Sequence, residues 1–311
     1  MNNLFFFIKR LQQNGASTEI YLNNIKCWVC QCNVLKKVKS LNLFTAANSN
    51  HFAITDSNYG ITGELLQCKN CGFIQCSEQN DVMKYYEELK DEEYDEECTG
   101  RTLHFKKILS IVSKYVSKGT LLDIGAGSGI LVQEALKMGY KAEGIEPSKY
   151  LEAKASARGL HIHLGVFPHP ECPSSLRYDI ITMIDVIEHV QEPLNILINI
   201  RKVISRDGIV VILTPDVSSV MAYLFGWKWW HFRYAHIGYF NKKTLNLAMD
   251  KAGFQLIRVY RPGWYFSIAY LFNRAMKYFP KALRITLPSV LENVVVPLNL
   301  RDSIMGIYRT K

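Results

Sequence analysis

No stretch of this 311-residue sequence holds the ~18–20 uninterrupted apolar residues of a membrane-spanning helix. A secretory leader is not legible either. Phe5, Phe6, Phe7 and Ile8 make too short an apolar run, and Lys9 and Arg10 follow it instead of preceding it. The expected location is therefore the cytoplasm. There the eight cysteines read as thiols or metal ligands, not as disulfides. The dinucleotide fingerprint G-x-G-x-x-G is absent too, which weighs against a nicotinamide or flavin dinucleotide.

Apolar residues make up 48% of the chain, enough for one large domain with a core and a small appendage. The net charge of +9 is unevenly spread. Residues 87–97 carry eight acids, whereas residues 220–311 carry 14 Lys/Arg against Asp250, Glu292 and Asp302. That basic half suits an anionic partner, or it is a solvated face.

The stretch Leu121-Leu122-Asp123-Ile124-Gly125-Ala126-Gly127-Ser128-Gly129-Ile130 organises the chain. An apolar strand enters a tight turn, and an amphipathic run (Ile130, Leu131, Ala135, Leu136) leaves it. Glycines tolerate positive φ and let a ligand approach the backbone closely. Asp123 sits badly with a pyrophosphate but suits a cationic or zwitterionic ligand. Alternating strands and helices follow, so the expected fold is α/β, a doubly wound, seven-stranded, mostly parallel sheet. Expected strands cover 141–145, 161–166, 178–185, 208–213, 254–260 and 303–309, the last two forming an antiparallel pair. Glu146 ends the second of the seven strands, where an acid can accept both hydroxyls of a ribose. The fourth strand ends at Asp185, and Glu188 and His189 follow at once. Ligands bind at the carboxyl ends of such strands, so three ionisable groups gather at the reacting end, with His189 the best base. A salt-bridged helix start is the bland alternative.

Cys27-x-x-Cys30 and Cys68-x-x-Cys71 supply four thiolates, the set for a closed structural zinc site. Cys32 and Cys76 lie close by. The layout divides into an amino-terminal zinc-binding module (1–80), an acidic linker (81–100) and a main domain (101–311) with an aromatic, basic extension. Tyr85 and Tyr86 stand in the linker. Residues 229–240 hold Trp229, Trp230, His231, His236, Tyr239 and Phe240, the makings of an aromatic roof. Residues 264–284 mix aromatics with Arg274, Lys277, Lys281 and Arg284, as an amphipathic helix on an anionic bilayer does. Peripheral association with the inner membrane surface is expected from that face; a helix packed on the core is the alternative.

Asp123-x-Gly125-x-Gly127-x-Gly129, Glu146 and the segment Asp185-Val186-Ile187-Glu188-His189-Val190 together resemble the class I S-adenosylmethionine-dependent methyltransferases. The resemblance implies a Rossmann-like fold, S-adenosylmethionine as cofactor, and Asp123, Gly125, Gly127, Gly129, Glu146 and Asp185 around it. Glu188, His189 and His236 are then the catalytic candidates. The paired cysteines, Tyr85-Tyr86 and the aromatic stretch are similar to methyltransferases with an amino-terminal zinc-ribbon-like module that act on sugars, many in surface-polysaccharide synthesis. On that resemblance the expected acceptor is a sugar hydroxyl or sugar carbon, on a nucleotide-linked or glycan substrate. Asp185-x-x-Glu188-His189 with His236 also resembles the metal set of ubiquinone-pathway and small-RNA O-methyltransferases, with Asp185 where Glu is usual. That implies a metal-assisted O-methyltransferase of a small molecule or a quinone-like lipid. A nucleic-acid methyltransferase is a further class; dispersed basic residues and the lack of an N/D-P-P-Y/F tetrad after the fourth strand argue against it. A non-catalytic scaffold conflicts with the intact glycines and Glu146.

Overall fold

The computed structural model describes residues 25–43, 49–52, 59–77, 83–90, 98–173, 175–276, 291 and 294–311. Phe5 to Ile8, most of the acidic run and residues 277–290 of the basic tail lie outside them. Among the described residues, no helix is long and apolar enough to cross a membrane.

Strands β1 (Leu35–Lys39), β2 (Leu65–Cys68) and β3 (Ile74–Cys76) pair antiparallel in sequence. Helix α1 (Met83–Glu87) and helix α2 (Cys98–Val112) lead into the main sheet. Its parallel strands are β4 (Thr120–Ile124), β5 (Lys141–Glu146), β6 (Ile162–Leu164), β7 (Tyr178–Ile184) and β8 (Ile204–Pro215). Helices α3 (Ile130–Lys137), α4 (Lys149–Ala157) and α5 (Pro193–Val203) make crossovers between them. Then come α6 (Val220–Phe225), β9 (Gly238–Tyr239), α7 (Lys242–Lys251), β10 (Phe254–Tyr260), β11 (Trp264–Ser267), α8 (Ile268–Met276), β12 (Val295–Leu298) and β13 (Ser303–Thr310).

The seven-stranded order is β10-β13-β8-β7-β4-β5-β6, with β13 antiparallel to both neighbours. This is the expected doubly wound sheet. Its strands are apolar runs because both faces are covered. Leu122, Ile181, Val210 and Ile212 pack on one face, and Leu121, Ile180, Ile209 and Val211 on the other. The chain turns from β4 toward β5 on one side and β7 on the other, which opens a crevice at their carboxyl ends.

Some local expectations differ from the fold. Strand β8 runs over twelve residues, Ile204–Pro215, against the six expected at 208–213. Strand β6 is only three residues long, against the six expected. Trp264 to Ser267 is a strand paired with β12, so the expected amphipathic helix begins only at Ile268. Its aromatics alternate in pairing register along a ribbon, a pattern that a helical reading of the same residues cannot separate.

The cysteine strands do not stand apart from the core. β3 pairs with β9, Ile74 opposite Tyr239 and Gln75 opposite Gly238. The Phe73 and Phe240 rings meet at 4.7 Å, and Cys27, Cys68 and Cys71 belong to the same buried cluster as Leu122 and Ile181.

Candidate active site

The crevice is a cavity of about 850 Å³, within the size range of small-molecule sites. Its floor is the turn between β4 and α3. Gly125, Gly127 and Gly129 take φ of +79°, +55° and +79°, which L side chains rarely adopt. A Cβ on Gly125 would collide with Val186. Gly125 and Gly127 line the cavity; Gly129 is turned to the core, where a Cβ would meet Leu160 Cδ1 at 2.6 Å.

Asp123 and Glu146 line this same cavity from adjacent strands. The Thr182 hydroxyl donates to Asp123 Oδ1 at 2.6 Å. Gly127 N–H donates to Glu146 Oε2 at 2.7 Å and Ser148 N–H to Oε1 at 2.9 Å. Glu146 thus clips the glycine turn to the end of β5 while keeping lone pairs for a ligand. Burial pushes the Asp123 carboxyl up to about 8, against the hydroxyl's pull, and nearby Glu146 adds to it. Burial likewise lifts Glu146 to about 7 despite its two amide donors. Two buried carboxyls holding their protons this tightly are poised to ionise for a cation. Gly165 and Phe167, after β6, form another wall.

At the end of β7, Asp185 takes φ of +53°, a strained value for a side-chain-bearing residue, and lines the cavity. Burial lifts its carboxyl to about 7, and the Arg101 and Arg233 charges oppose this. A single 3₁₀ turn, Ile187–His189, then presents Glu188 and His189. His236 arrives from the loop before β9, and Ile237 N–H donates to the Glu188 carbonyl at 2.9 Å to join the two loops. Donor atoms of Glu188, His189 and His236 lie within 4.8 Å of one another. The Thr214 hydroxyl donates to Glu188 Oε2 at 2.9 Å. Glu188 Oε1 and His236 Nδ1 are buried with no hydrogen-bond partner among the described residues. Burial drives His189 down to about 4 and His236 well below its usual value, so both imidazoles are neutral.

His189 Nδ1 lies 2.8 Å from the Ala235 carbonyl, which can only accept. Nδ1 therefore carries the ring proton, and Nε2 keeps its lone pair. The Tyr86 hydroxyl sits 2.6 Å from the same Nδ1, with Tyr86 half-buried and lining the cavity. Helix α1 is held there by Phe52, whose ring stacks on Tyr85 at 4.8 Å and meets Tyr86 edge-on at 5.4 Å. Ser148 Oγ donates to the Leu89 carbonyl, tying the segment after α1 to the end of β5.

The aromatic stretch divides. Trp230 and His231 line the cavity with His236, whereas Trp229, Tyr239 and Phe240 are buried in the core and belong to no roof. Wall residues that the sequence reading missed are Arg101, Arg233, Trp264, Tyr265 and Tyr270. Trp264 stacks on the buried His104 ring at 3.8 Å. The signal at Trp264, Tyr265 and Tyr270 was aromatic content, which the sequence left open between a bilayer-facing helix and one packed on the core.

The four cysteines meet away from this cavity. Cys27 and Cys71 sulfurs stand 3.6 Å apart, Cys30 and Cys68 sulfurs 3.3 Å apart, and all four lie within 4.8 Å. Each pair closes a matching knuckle: Gln31 N–H donates to the Cys27 carbonyl and Gly72 N–H to the Cys68 carbonyl. The residue after each second cysteine takes positive φ.

A family model for the methyltransferase domain matches residues 95–259. Among curated relatives, a ubiquinone biosynthesis O-methyltransferase of Haemophilus ducreyi is 28% identical over 115 residues, covering 33% of this chain and 48% of the relative. Its namesake from Rickettsia prowazekii is 30% identical over 125 residues, covering 38% and 49%. The chain thus spans about half the length of these relatives. Solved structures with a similar outline include a SAM-dependent methyltransferase from Thermotoga maritima (TM-score 0.43, 18% identity, 69% of this chain and 91% of that one). Another is the CcbJ methyltransferase from Streptomyces caelestis (0.45, 12%, 68% and 96%). With a family match over more than half its length, on a sheet of this order and a glycine turn flanked by carboxyls, the chain belongs to the class I methyltransferase-domain family.

Proposed function

We propose that the chain transfers a methyl group from S-adenosylmethionine to a hydroxyl oxygen of a small acceptor with a flat or apolar body. The observation that carries this is the convergence of Glu188, His189 and His236 beside the glycine cleft, with two of their buried polar atoms unpartnered. Neutral imidazoles and one carboxylate fit a divalent cation, and Asp185 stands nearby. When bound, such an ion lowers the pKa of a hydroxyl that it touches.

The chain's own groups do the rest. Asp123 and Glu146 receive the cofactor's cationic amino group and ribose. The Ala235 carbonyl and Tyr86 hold the His189 ring so that Nε2 faces a ligand. Enclosure by Trp230, Trp264 and Tyr265 orients the acceptor in line with the sulfonium and excludes water. The relatives' name describes O-methylation in ubiquinone biosynthesis, which agrees with an oxygen nucleophile. A sugar hydroxyl is the second reading, favoured by the same aromatic walls, whose flat faces and polar edges suit a sugar ring.

Four thiolates at 3.3–3.6 Å in pairs fit zinc, whose ~2.3 Å bonds to sulfur set edges of about 3.8 Å. We assign that ion a structural role. The function is tested by incubating the full chain with labelled cofactor and panels of phenols, catechols and nucleotide sugars, with and without chelator. Methylation of none of them overturns the acceptor reading, and cofactor binding by calorimetry reports separately on the cleft.

A further inference from the structure

A second histidine cluster stands at the outer edge of the sheet, on β5 and β6. His161 immediately precedes β6 and His163 lies within it, two residues on, so both face the same way. Glu143 lies on β5, whose Gly144 and Ile145 register with Ile162 and His163. Glu143, His161 and His163 therefore share one face at the sheet's edge. His161 Nδ1 is 3.2 Å from Glu143 Oε2, and His163 Nε2 is 3.0 Å from that same oxygen. All three donor atoms lie within 4.8 Å of one another.

We propose that Glu143, His161 and His163 form a binding site for a divalent transition-metal cation that clamps the edge strand β6 to β5. A tetrahedral ion with bonds of ~2.1 Å holds neighbouring N and O ligands about 3.4 Å apart. The observed separations are close to that without any rebuilding. The carboxylate is already aimed: the Tyr178 hydroxyl donates to Glu143 Oε1 at 2.5 Å and leaves Oε2 to the imidazoles. An outer partner of this kind is what orients a ligating carboxylate. His163 and Glu143 are half-buried, whereas the His161 side chain is 71% exposed, so an ion enters from solvent past His161. Two imidazoles and one carboxylate select zinc, cobalt or nickel over calcium and magnesium, and leave a coordination position for water. Strand β6 continues into Gly165 and Phe167 of the cofactor cavity, so the clamp steadies the strand that leads into that wall.

Cobalt(II) is the probe, titrated calorimetrically at mildly alkaline pH into the full chain carrying a single equivalent of zinc on its four cysteines, with excess zinc removed. His161→Ala, His163→Ala, Tyr178→Phe and His236→Ala are compared. The expected result is one equivalent that survives His236→Ala but weakens at least about tenfold in either edge-histidine variant, with a loss of similar kind in Tyr178→Phe. The ion should also raise the melting temperature of the wild type and not of His161→Ala. Exposure of His161 makes misfolding of that variant no obstacle, and circular dichroism checks it. Equal stoichiometry and affinity in wild type and the double variant His161→Ala/His163→Ala would overturn the proposal. So would a wild type that takes up cobalt only at the site removed by His236→Ala.

Discussion

The Tyr86 hydroxyl lies 2.6 Å from His189 Nδ1, so a side chain from ahead of the main domain touches the imidazole at the end of β7. With the Ala235 carbonyl, it fixes which ring nitrogen faces the cavity. Tyr86→Phe should lower kcat by about tenfold, the usual scale for an outer partner, and leave cofactor affinity unchanged. Steady-state kinetics decide it; an unaltered kcat removes Tyr86 from the site.

Cofactor binding should release protons. Asp123 and Glu146 carry folded-state values of about 8 and about 7, raised by burial. A raised carboxyl holds its proton in the empty site below those values, and a cation drives it off. Affinity for S-adenosylmethionine should thus climb with pH up to about 8 and then level. Calorimetry in buffers of different ionisation enthalpy measures the proton count. Asp123→Asn should abolish the slope it supplies and weaken binding by ~1–3 kcal/mol.

Gly125→Ala tests the turn itself. The positive φ and the Val186 side chain leave no room for a methyl group. A destabilisation of about 1–3 kcal/mol is expected in denaturant unfolding, with loss of cofactor binding. Gly139→Ala isolates the backbone part of that cost, since Gly139 also takes φ of +88° but its Cβ would meet nothing within 4 Å.

Chelation and the variants Glu188→Gln and His236→Ala should act alike on activity. Each removes a donor or the ion, so kcat should fall at least about tenfold, with cofactor binding retained. Divalent cations should rescue the chelated wild type but not His236→Ala. Full activity under chelation rules out the ion and leaves His189 as the base.

Zinc loss should reach the active site through the backbone. Gln75 pairs with Gly238, and Ile237 N–H donates to the Glu188 carbonyl, which makes a short route from knuckle to the turn that bears Glu188 and His189. Cys71→Ser should lower both zinc content, read by mass spectrometry, and kcat. Zinc-free protein with unchanged kcat contradicts this coupling.

Sequence alone made the glycine turn, Asp123, Glu146 and the alternation of strands and helices legible, because each is a local pattern with a local cause. The cysteine pairs were legible for the same reason: a two-residue gap is the reach of a knuckle. Glu188 and His189 were visible as neighbours, but which atoms lack partners was not. Trp264 to Phe266 were expected in a helix and form a strand, since aromatic content alone does not set the period of a short segment.

The order of residues determined the fold class, the cofactor cleft and the two thiolate pairs, since backbone φ preference, apolar periodicity and short chelating gaps act within a few residues. Only the tertiary structure decided that Tyr86 reaches His189, that His236 joins Glu188 across 47 intervening positions, that Trp229 is core while Trp230 is wall, and that Glu143 meets two histidines at the sheet edge. Those outcomes depend on strand order and on which face each loop returns to. Contacts between distant segments are set by packing of the whole sheet, and no local pattern carries that information.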